Sequence, residues 1–312
     1  MTGFTGFHDS PAFNERVASF TLEPEVKVQI NAPPAADFVK GKKTLLILYA
    51  LPNGNTIAQT IGHKLKPGDD WHFEIQHIGA QTRFLRQMIP DRNIVVACLE
   101  ANAKTIPRSW PSWRKKNGDA PIPGIVAAIR EVVADNPAEI VLSGHSGGGS
   151  FIFGYMNAVQ KIPNDVIRIA FLDSDYAYDP ALGHLEKLSK WLKASKKHYL
   201  CVLAYNDAVA LYNDKPFVSA KGGTWGKSHE MLRDLSARFK FTSQTNGTLE
   251  TVTALDGRIK FLLKNNPERK ILHTVQVERN GFIETMVSGM ANEGQGYQYF
   301  GDRAYTKWIE QN

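Results

Sequence analysis

The chain has 312 residues, of which 43% are hydrophobic and 22% charged, a composition typical of globular proteins and unlike that of disordered ones. Its formal net charge is +6, but the lysines and arginines are scattered. This pattern argues against a nucleic-acid site and leaves attraction of an anionic substrate or an envelope surface as the alternative. No apolar run approaches the length of a membrane span.

Short apolar runs alternate with amphipathic segments along most of the chain. Besides an antiparallel entry strand at 26–30, the sequence predicts buried strands over residues 44–50, 93–99, 139–143, 166–172, 199–205 and 270–277. Helices are predicted near residues 75–88, 122–134, 150–159, 182–194 and 302–309. Uninterrupted apolar runs are typical of parallel strands covered on both faces. We therefore expect one α/β domain over 1–312, with a mostly parallel sheet between two layers of helices.

Two segments, 101–123 and 206–264, are expected to leave this sheet as long excursions. The first carries two tryptophans and two arginines, which would suit a sugar ring, an aromatic acyl group or an anionic ligand as a substrate wall: Arg108, Trp110, Trp113 and Arg114. In the alternative, the tryptophans anchor the loop on the core. The second is a possible lid or cap insertion, with a helix near 229–239 and a hairpin at its Asn-Gly pair, residues 246–247.

The sequence G-x-S-x-G occurs between a predicted strand and a predicted helix, as Gly144-His145-Ser146-Gly147-Gly148. A chain that passes directly from strand to helix must turn sharply at the serine, which strains its backbone and exposes its hydroxyl. A Cβ two residues before or after Ser146 would collide with neighbouring backbone, so glycine suits both positions. The alternative is a glycine-rich turn with a capping serine.

In this motif and its setting, the chain from about Lys43 onward resembles the α/β-hydrolase family of serine esterases, lipases and acyl-peptidases. The resemblance implies that Ser146 is the nucleophile and that two backbone amides stabilise the oxyanion. Gly147 would provide one amide. The other would come from Asn53 or Gly54, after the strand 44–50, unless these residues form an ordinary turn.

The resemblance also implies an acid at the carboxyl end of a later strand. Asp173 follows the strand 166–172, where some lipases of the family carry their acid, and Asp175 is close by. Asp207 follows the next strand, which is the commoner position in the family. Each of these carboxylates could alternatively cap a helix or face solvent.

A catalytic histidine is expected after the last strand, but residues 278–285 contain none and Glu284 stands there. With an ordinary pKa of about 4.3, a glutamate is a poor base for a serine hydroxyl. His229, in the second excursion, is our candidate base, whereas His273 lies inside the predicted last strand and is expected to be structural. Either an unusual loop supplies the base or the chain has lost it.

The sequence therefore predicts a serine hydrolase that forms an acyl-enzyme at Ser146 on a small-molecule or carbohydrate-linked ester, or less readily on an amide or peptide bond. The alternative is a non-catalytic ligand-binding protein on the same fold. No metal or nucleotide motif is found, so no metal and no cofactor are expected. Cys98 and Cys201 lie in predicted strands as buried free thiols. No secretory signal is visible, which predicts a cytoplasmic protein or an exported one whose signal has been removed.

Overall fold

A computed structural model describes residues 6–102, 104, 107–133, 138–219 and 223–311. Within these residues the strands are β1 (His8–Asp9), β2 (Arg16–Leu22), β3 (Val26–Ala32), β4 (Thr44–Ala50), β5 (Asn93–Ala101), β6 (Ala138–His145), β7 (Val166–Leu172), β8 (Tyr199–Tyr205), β9 (Leu211–Tyr212), β10 (Lys215–Pro216), β11 (Thr242–Asn246), β12 (Leu249–Ala254) and β13 (Ile259–Lys264). The α-helices of the same residues are α1 (Ile57–Ile61), α2 (Ile78–Met88), α3 (Trp110–Asn117), α4 (Ile122–Val132), α5 (Gly149–Ala158), α6 (His184–Ala194), α7 (Thr224–Ser236) and α8 (Phe282–Val287).

One large sheet forms the centre of the molecule, with the strand order β1-β2-β3-β5-β4-β6-β7-β8-β13-β12-β11 among the described residues. The six strands from β5 to β13 in this order are parallel to one another. Antiparallel strands flank them at both edges, and the predicted entry strand is β3, antiparallel to β5. The predicted mostly parallel sheet is therefore confirmed.

Helices cover both faces of the sheet, as predicted. Residues of α3, α4, α5, α6 and α7 pack in one hydrophobic cluster on one face. Residues of α1, α2 and α8 pack in a second cluster on the other face. Strands β4 and β5 are buried along their whole length because both of their faces are covered. This two-layered packing, the strand order and a sharp turn after β6 are those of the α/β-hydrolase fold.

The predicted last strand, 270–277, is wrong. Residues 265–274 form a loop and a turn, and a helical segment begins at residue 275. The free edge of β8 is taken instead by β13, which pairs with it in parallel and is buried over Ile259–Leu263. Residues 271–275 are only partly buried, which does not suit an inner strand. The predicted final helix at 302–309 is reduced to a short 3-10 turn over Thr306–Trp308.

The second excursion belongs partly to the sheet, because β11, β12 and β13 all lie within 206–264. The predicted hairpin is confirmed between β11 and β12, where Gly247 has the positive φ of 57° that its turn requires. The part of this segment that leaves the sheet ends before residue 242 and contains α7. Residues 103, 105–106 and 220–222 of the two excursions lie outside the described residues.

Candidate active site

The turn between β6 and α5 places Ser146 at the carboxyl edge of the sheet. Ser146 has a φ of 54°, a left-handed conformation that is strained for a residue with a side chain. The neighbouring strand leaves no room for side chains beside it. A Cβ on Gly148 would overlap the carbonyl oxygen of Ala50, and a Cβ on Gly144 would lie 2.8 Å from the Gly148 carbonyl carbon. The collisions expected from the sequence are therefore present in the structure.

Asp173 follows β7 directly, so its side chain lies at the same edge of the sheet as the turn at Ser146. The carboxylate is fully buried and has two short contacts. One oxygen, Oδ1, accepts a hydrogen bond from the hydroxyl of Thr224, at the start of α7. The other, Oδ2, contacts the imidazole Nδ1 of His273. Both oxygens of this buried carboxylate are thus paired, as the burial of a charge requires.

His273 follows β13, the last strand of the parallel set, after the loop 265–272. Buried Asn266 holds this loop: its amide nitrogen donates to the Asn206 carbonyl at 3.1 Å and to the Lys270 carbonyl at 2.7 Å. The His273 side chain is 21% exposed, so its ring is open to solvent on one side and paired with Asp173 on the other. A histidine after the last strand is therefore present, and the inference that it was missing came from the wrong strand.

His145 ties the loop that carries His273 to the turn at Ser146. The ring of His145 lies 4.5 Å from that of His273, centroid to centroid. Its Nε2 donates a hydrogen bond to the His273 carbonyl oxygen at 3.2 Å. Burial lowers the pKa of His145 well below its ordinary value, so it stays neutral. Because His145 directly precedes Ser146, these contacts hold the loop of His273 against the turn that carries Ser146.

Asp207, the other sequence candidate for the acid, is engaged by the first turn of α7. Its carboxylate accepts hydrogen bonds from the backbone amides of Gly223 and Thr224, each at 3.0 Å. Burial raises the pKa of Asp207 in spite of these amides. Thr224 therefore bonds Asp207 through its amide and Asp173 through its hydroxyl. The structure brings Asp173, and not Asp207, into contact with a histidine.

Asp175 lies fully buried two residues beyond Asp173. One of its oxygens accepts a hydrogen bond from the Ser228 hydroxyl at 2.8 Å, and the other has no hydrogen-bond partner among the described residues. Burial, with the charges of Asp173 and Asp207 nearby, raises the pKa of Asp175 well above its ordinary value. Burial therefore favours the neutral, protonated form of Asp175, beside the pair that Asp173 makes with His273.

The two candidates for the second oxyanion amide differ in their hydrogen bonds. The Gly54 amide donates to the Arg108 carbonyl oxygen at 2.8 Å, so it is occupied. Asn53 is exposed, and its side chain packs closely against Gly147 in the turn at Ser146. A Cβ on Gly147 would overlap the side-chain amide of Asn53. Gly147 lies in the first turn after Ser146, where backbone amides have no acceptor within a helix. The structure thus brings Asn53 and Gly147 together beside Ser146.

The remaining sequence candidates are not among the described residues that line the cavity opening at Ser146. Trp110 and Trp113 are buried and donate from their indole nitrogens to backbone carbonyls, so they anchor the loop on the core. Arg108 pairs with Glu100 at 3.0 Å. On α7, the His229 ring faces the carbonyl oxygen of its own helix at Trp225, 2.8 Å away.

Glu284 lies in α8 and is buried. It accepts a hydrogen bond from the Tyr297 hydroxyl at 2.6 Å and lies 4.0 Å from the Lys260 ammonium. Burial raises its pKa. None of these partners lines the cavity at Ser146. Glu284 was considered only because it follows the wrongly predicted strand 270–277, and it is not among the described residues that line the cavity.

The two cysteines of the chain bear on which side chain could act as a nucleophile. Cys98 and Cys201 are free and buried, as predicted, and burial raises the pKa of each thiol to about 12. A thiol of that kind is inert as a nucleophile near neutral pH.

Among the described residues, no group of three or more His, Cys, Asp or Glu side chains is placed to hold a metal ion. In the same residues, no helix is long and apolar enough to cross a membrane.

Some solved structures are similar to this chain at low sequence identity. No protein-family model matches the chain, and no curated protein matches it either. A thermostable esterase structure is similar with a TM-score of 0.49 and 13% identity, over 88% of this chain and 63% of the esterase chain. The siderophore hydrolase EstB from Aspergillus nidulans is similar with a TM-score of 0.46 and 12% identity, over 88% of this chain and 94% of that one.

A third similar structure is a mutant of the feruloyl esterase module from Clostridium thermocellum complexed with sinapinate. Its TM-score is 0.47 and its identity 11%, over 88% of this chain and 93% of that one. The assignment of the α/β-hydrolase fold rests on the strand order and on the turn at Ser146, which are properties of this chain itself.

The buried Asp175 predicts a pH dependence of stability. In the unfolded chain the pKa of this carboxyl is near 3.8, whereas burial raises it in the folded chain. Above about pH 4 the folded chain therefore holds a proton that the unfolded chain has lost, and stability falls as pH rises toward the folded-state pKa, by at most about 1.4 kcal/mol per pH unit. Asp175→Asn removes this dependence.

We expect the melting temperature of Asp175→Asn, minus that of the wild type, to increase as pH is raised from about 4 to about 8. Thermal unfolding followed by circular dichroism at each pH measures this difference. A difference that is constant or that shrinks with rising pH would show that Asp175 is ionised in the folded chain.

Proposed function

We propose that the chain is a serine hydrolase that cleaves a small-molecule ester through an acyl-enzyme at Ser146. The observation that carries the proposal is the contact of His273 with the buried Asp173 beside the strained turn at Ser146. The three residues follow three different strands of the parallel set and occur in the chain order serine, aspartate, histidine, which is the order of the triad in α/β-hydrolases.

In the first half of the reaction, Ser146 Oγ attacks the ester carbonyl carbon. His273 Nε2 takes the hydroxyl proton, and the Asp173 carboxylate stabilises the imidazolium that forms. The proton then passes from Nε2 to the departing alkoxide, the bond between the carbonyl carbon and the alcohol oxygen breaks, and the alcohol leaves. The acyl group stays on Ser146 as an ester.

In the second half, a water molecule gives a proton to His273 and attacks the acyl carbon. The bond to Ser146 Oγ breaks, the serine regains its proton from the imidazole, and the acid is released. In both halves, the Gly147 and Asn53 amides stabilise the negative oxygen of the tetrahedral intermediate. Removal of one such donor typically lowers kcat about 10²-fold to 10³-fold in other hydrolases.

The alternative function, a non-catalytic binding protein, was motivated by the histidine that the sequence did not show after its predicted last strand. His273 supplies an imidazole at the end of the true last parallel strand, and it is paired with a buried carboxylate. This pairing supports the catalytic proposal and removes the reason for the alternative.

The roles of the two histidines can be separated by kinetics on a p-nitrophenyl ester. We expect Ser146→Ala and His273→Ala to lower kcat by at least about 10³-fold, because residues that act as a unit lose most of their catalysis when either is removed. His229→Ala is the matched control on the neighbouring helix and should change kcat by less than about twofold. Circular dichroism checks that each variant is folded. Full activity of folded Ser146→Ala would contradict the proposal, and a large loss in His229→Ala alone would transfer the role of base to that residue.

Thr224 has a positioning role in this proposal. Its hydroxyl donates to Asp173 Oδ1, while Asp207 holds its backbone amide. The donated hydrogen bond draws charge toward Oδ1 and away from the oxygen that faces His273. Replacement of the hydroxyl by a methyl group should therefore strengthen the attraction between Asp173 and the protonated imidazole of His273.

For Thr224→Val we expect kcat/KM to fall about tenfold, because the buried Asp173 carboxylate loses the hydrogen bond that orients it toward His273. The acid limb of the pH profile should move to higher pH, because the attraction for the protonated imidazole is stronger. Thr224→Ser keeps the hydroxyl and should restore both the rate and the position of the limb. The measurement is kcat/KM for a p-nitrophenyl ester between about pH 5 and 9. An unshifted limb in Thr224→Val would mean that Thr224 acts only on the packing of α7.

A further inference from the structure

A cavity of about 760 Å³ opens at Ser146 and extends toward α3. Asn53, Ser146 and Gly147 line one end of it, so a substrate held at the proposed oxyanion site would reach into this space. Pro111, Arg114 and Lys115 line the part that α3 contributes. Two charges of that helix, those of Arg114 and Lys115, therefore lie in the wall of the cavity.

Arg114 is held in one orientation and has its charge balanced. Its Nε and Nη2 bind the two carboxylate oxygens of Asp119 at 2.5 and 2.8 Å, and its Nη1 donates to the Ser150 hydroxyl at 2.9 Å. The side chain crosses α5 at Gly154, where a Cβ would lie 2.7 Å from Arg114 Nε. A bidentate pair of this kind leaves little charge to attract a ligand.

Asp119 in turn is engaged on both of its carboxylate oxygens. Besides Arg114, its carboxylate accepts a hydrogen bond from the Asn157 amide at 2.9 Å. Although burial raises the pKa of Asp119, the hydrogen bonds from Arg114 and Asn157 lower it below its ordinary value, so the group is ionised and engaged. Asp119 is also the acidic residue of the cavity lining, which leaves the lining short of negative charge.

Lys115 is the cation of this lining that nothing balances. It is exposed, and within the described residues no carboxylate lies within ion-pair distance of its ammonium group. With Arg114 and Asp119 cancelling one another, the lining of the cavity has a net charge of about +1 near neutral pH. The net charge of +6 on the whole chain acts in the same direction at longer range.

We propose, on the basis of the hydrolase function above, that this cavity selects esters that carry a carboxylate, and that Lys115 binds the carboxylate. An ammonium group at the open side of a cavity attracts the anion and needs no fixed geometry, so it tolerates substrates that differ in length. The anionic group belongs either to the acyl part or to the alcohol part of the ester, and the two cases require different substrates in the test.

The test measures kcat/KM for two pairs of esters. In the first pair, mono-p-nitrophenyl adipate carries the anion in its acyl part, and its methyl ester is the neutral counterpart. In the second, 4-carboxyphenyl acetate carries the anion in its alcohol part, and 4-carbamoylphenyl acetate is the neutral counterpart. The selectivity is the ratio of the anionic to the neutral rate constant within each pair, which cancels effects on the common chemical step.

We expect Lys115→Met to lower the selectivity about threefold in one of the two pairs, in keeping with one partly exposed ion pair. The effect should weaken at about 0.5 M salt, where charges in solvent are screened within a few ångströms. Lys116→Met is the matched control. This variant removes the same charge from the next position, but Lys116 lies 3.8 Å from the Glu25 carboxylate and does not line the cavity. The selectivity of Lys116→Met should equal that of the wild type in both pairs of esters.

The pair that responds to Lys115→Met identifies the part of the ester that carries the anion. Equal selectivity in Lys115→Met, Lys116→Met and the wild type would overturn the inference while leaving the hydrolase proposal in place. A wild-type preference for the neutral ester in both pairs would do the same. If the wild type hydrolyses none of the four esters, the hydrolase proposal fails and this inference fails with it.

Discussion

The site is organised around one buried charge, the carboxylate of Asp173. A carboxylate with no exposure to water is unfavourable unless polar partners in the protein replace its hydration. Here one partner comes from α7, through Thr224, and the other from the loop after β13, through His273. Satisfying this single group therefore holds together two segments that are 49 residues apart in the sequence, at positions 224 and 273. The arrangement of the proposed triad follows from this requirement as much as from the fold.

A second constraint is the lack of space at the turn after β6. The backbone of the turn lies against the carbonyl oxygen of Ala50 at the end of β4, so that strand and helix meet with no side chain between them. The serine accordingly takes a strained conformation and lines the cavity at this edge of the sheet. His145, one residue earlier, is buried and contacts the loop of His273. One turn thus carries the serine that we propose as the nucleophile and anchors the loop of the residue that we propose as its base.

Much of the sheet could be predicted because its inner strands are continuous apolar runs. β4, β7 and β8 begin and end at the predicted residues, and the turn at Ser146 was identified from its glycines and their setting. The last strand could not be predicted in this way. The sequence of β13, Ile-Lys-Phe-Leu-Leu-Lys, is short and carries two lysines, whereas residues 270–277 show a longer apolar pattern. Contacts between residues that are distant in the sequence determine which of the two segments pairs with β8. Because β13 pairs with β8, His273 lies in a loop and not in a strand.

The same limit applies to individual site residues. Asp173 and Asp207 both follow strands, and only their partners distinguish them: an imidazole for the first, the amides of α7 for the second. Gly54 has the flexible neighbours expected of an oxyanion loop, but its amide donates a hydrogen bond to a carbonyl oxygen of another loop.

The central claim is that Ser146 is an activated nucleophile. Its most direct test is incubation of the folded wild-type protein with a fluorophosphonate probe, followed by mass spectrometry of its peptides. We predict one adduct, on the peptide that contains Ser146; a folded protein with no adduct after long incubation, or with its adduct on another residue, would contradict the account.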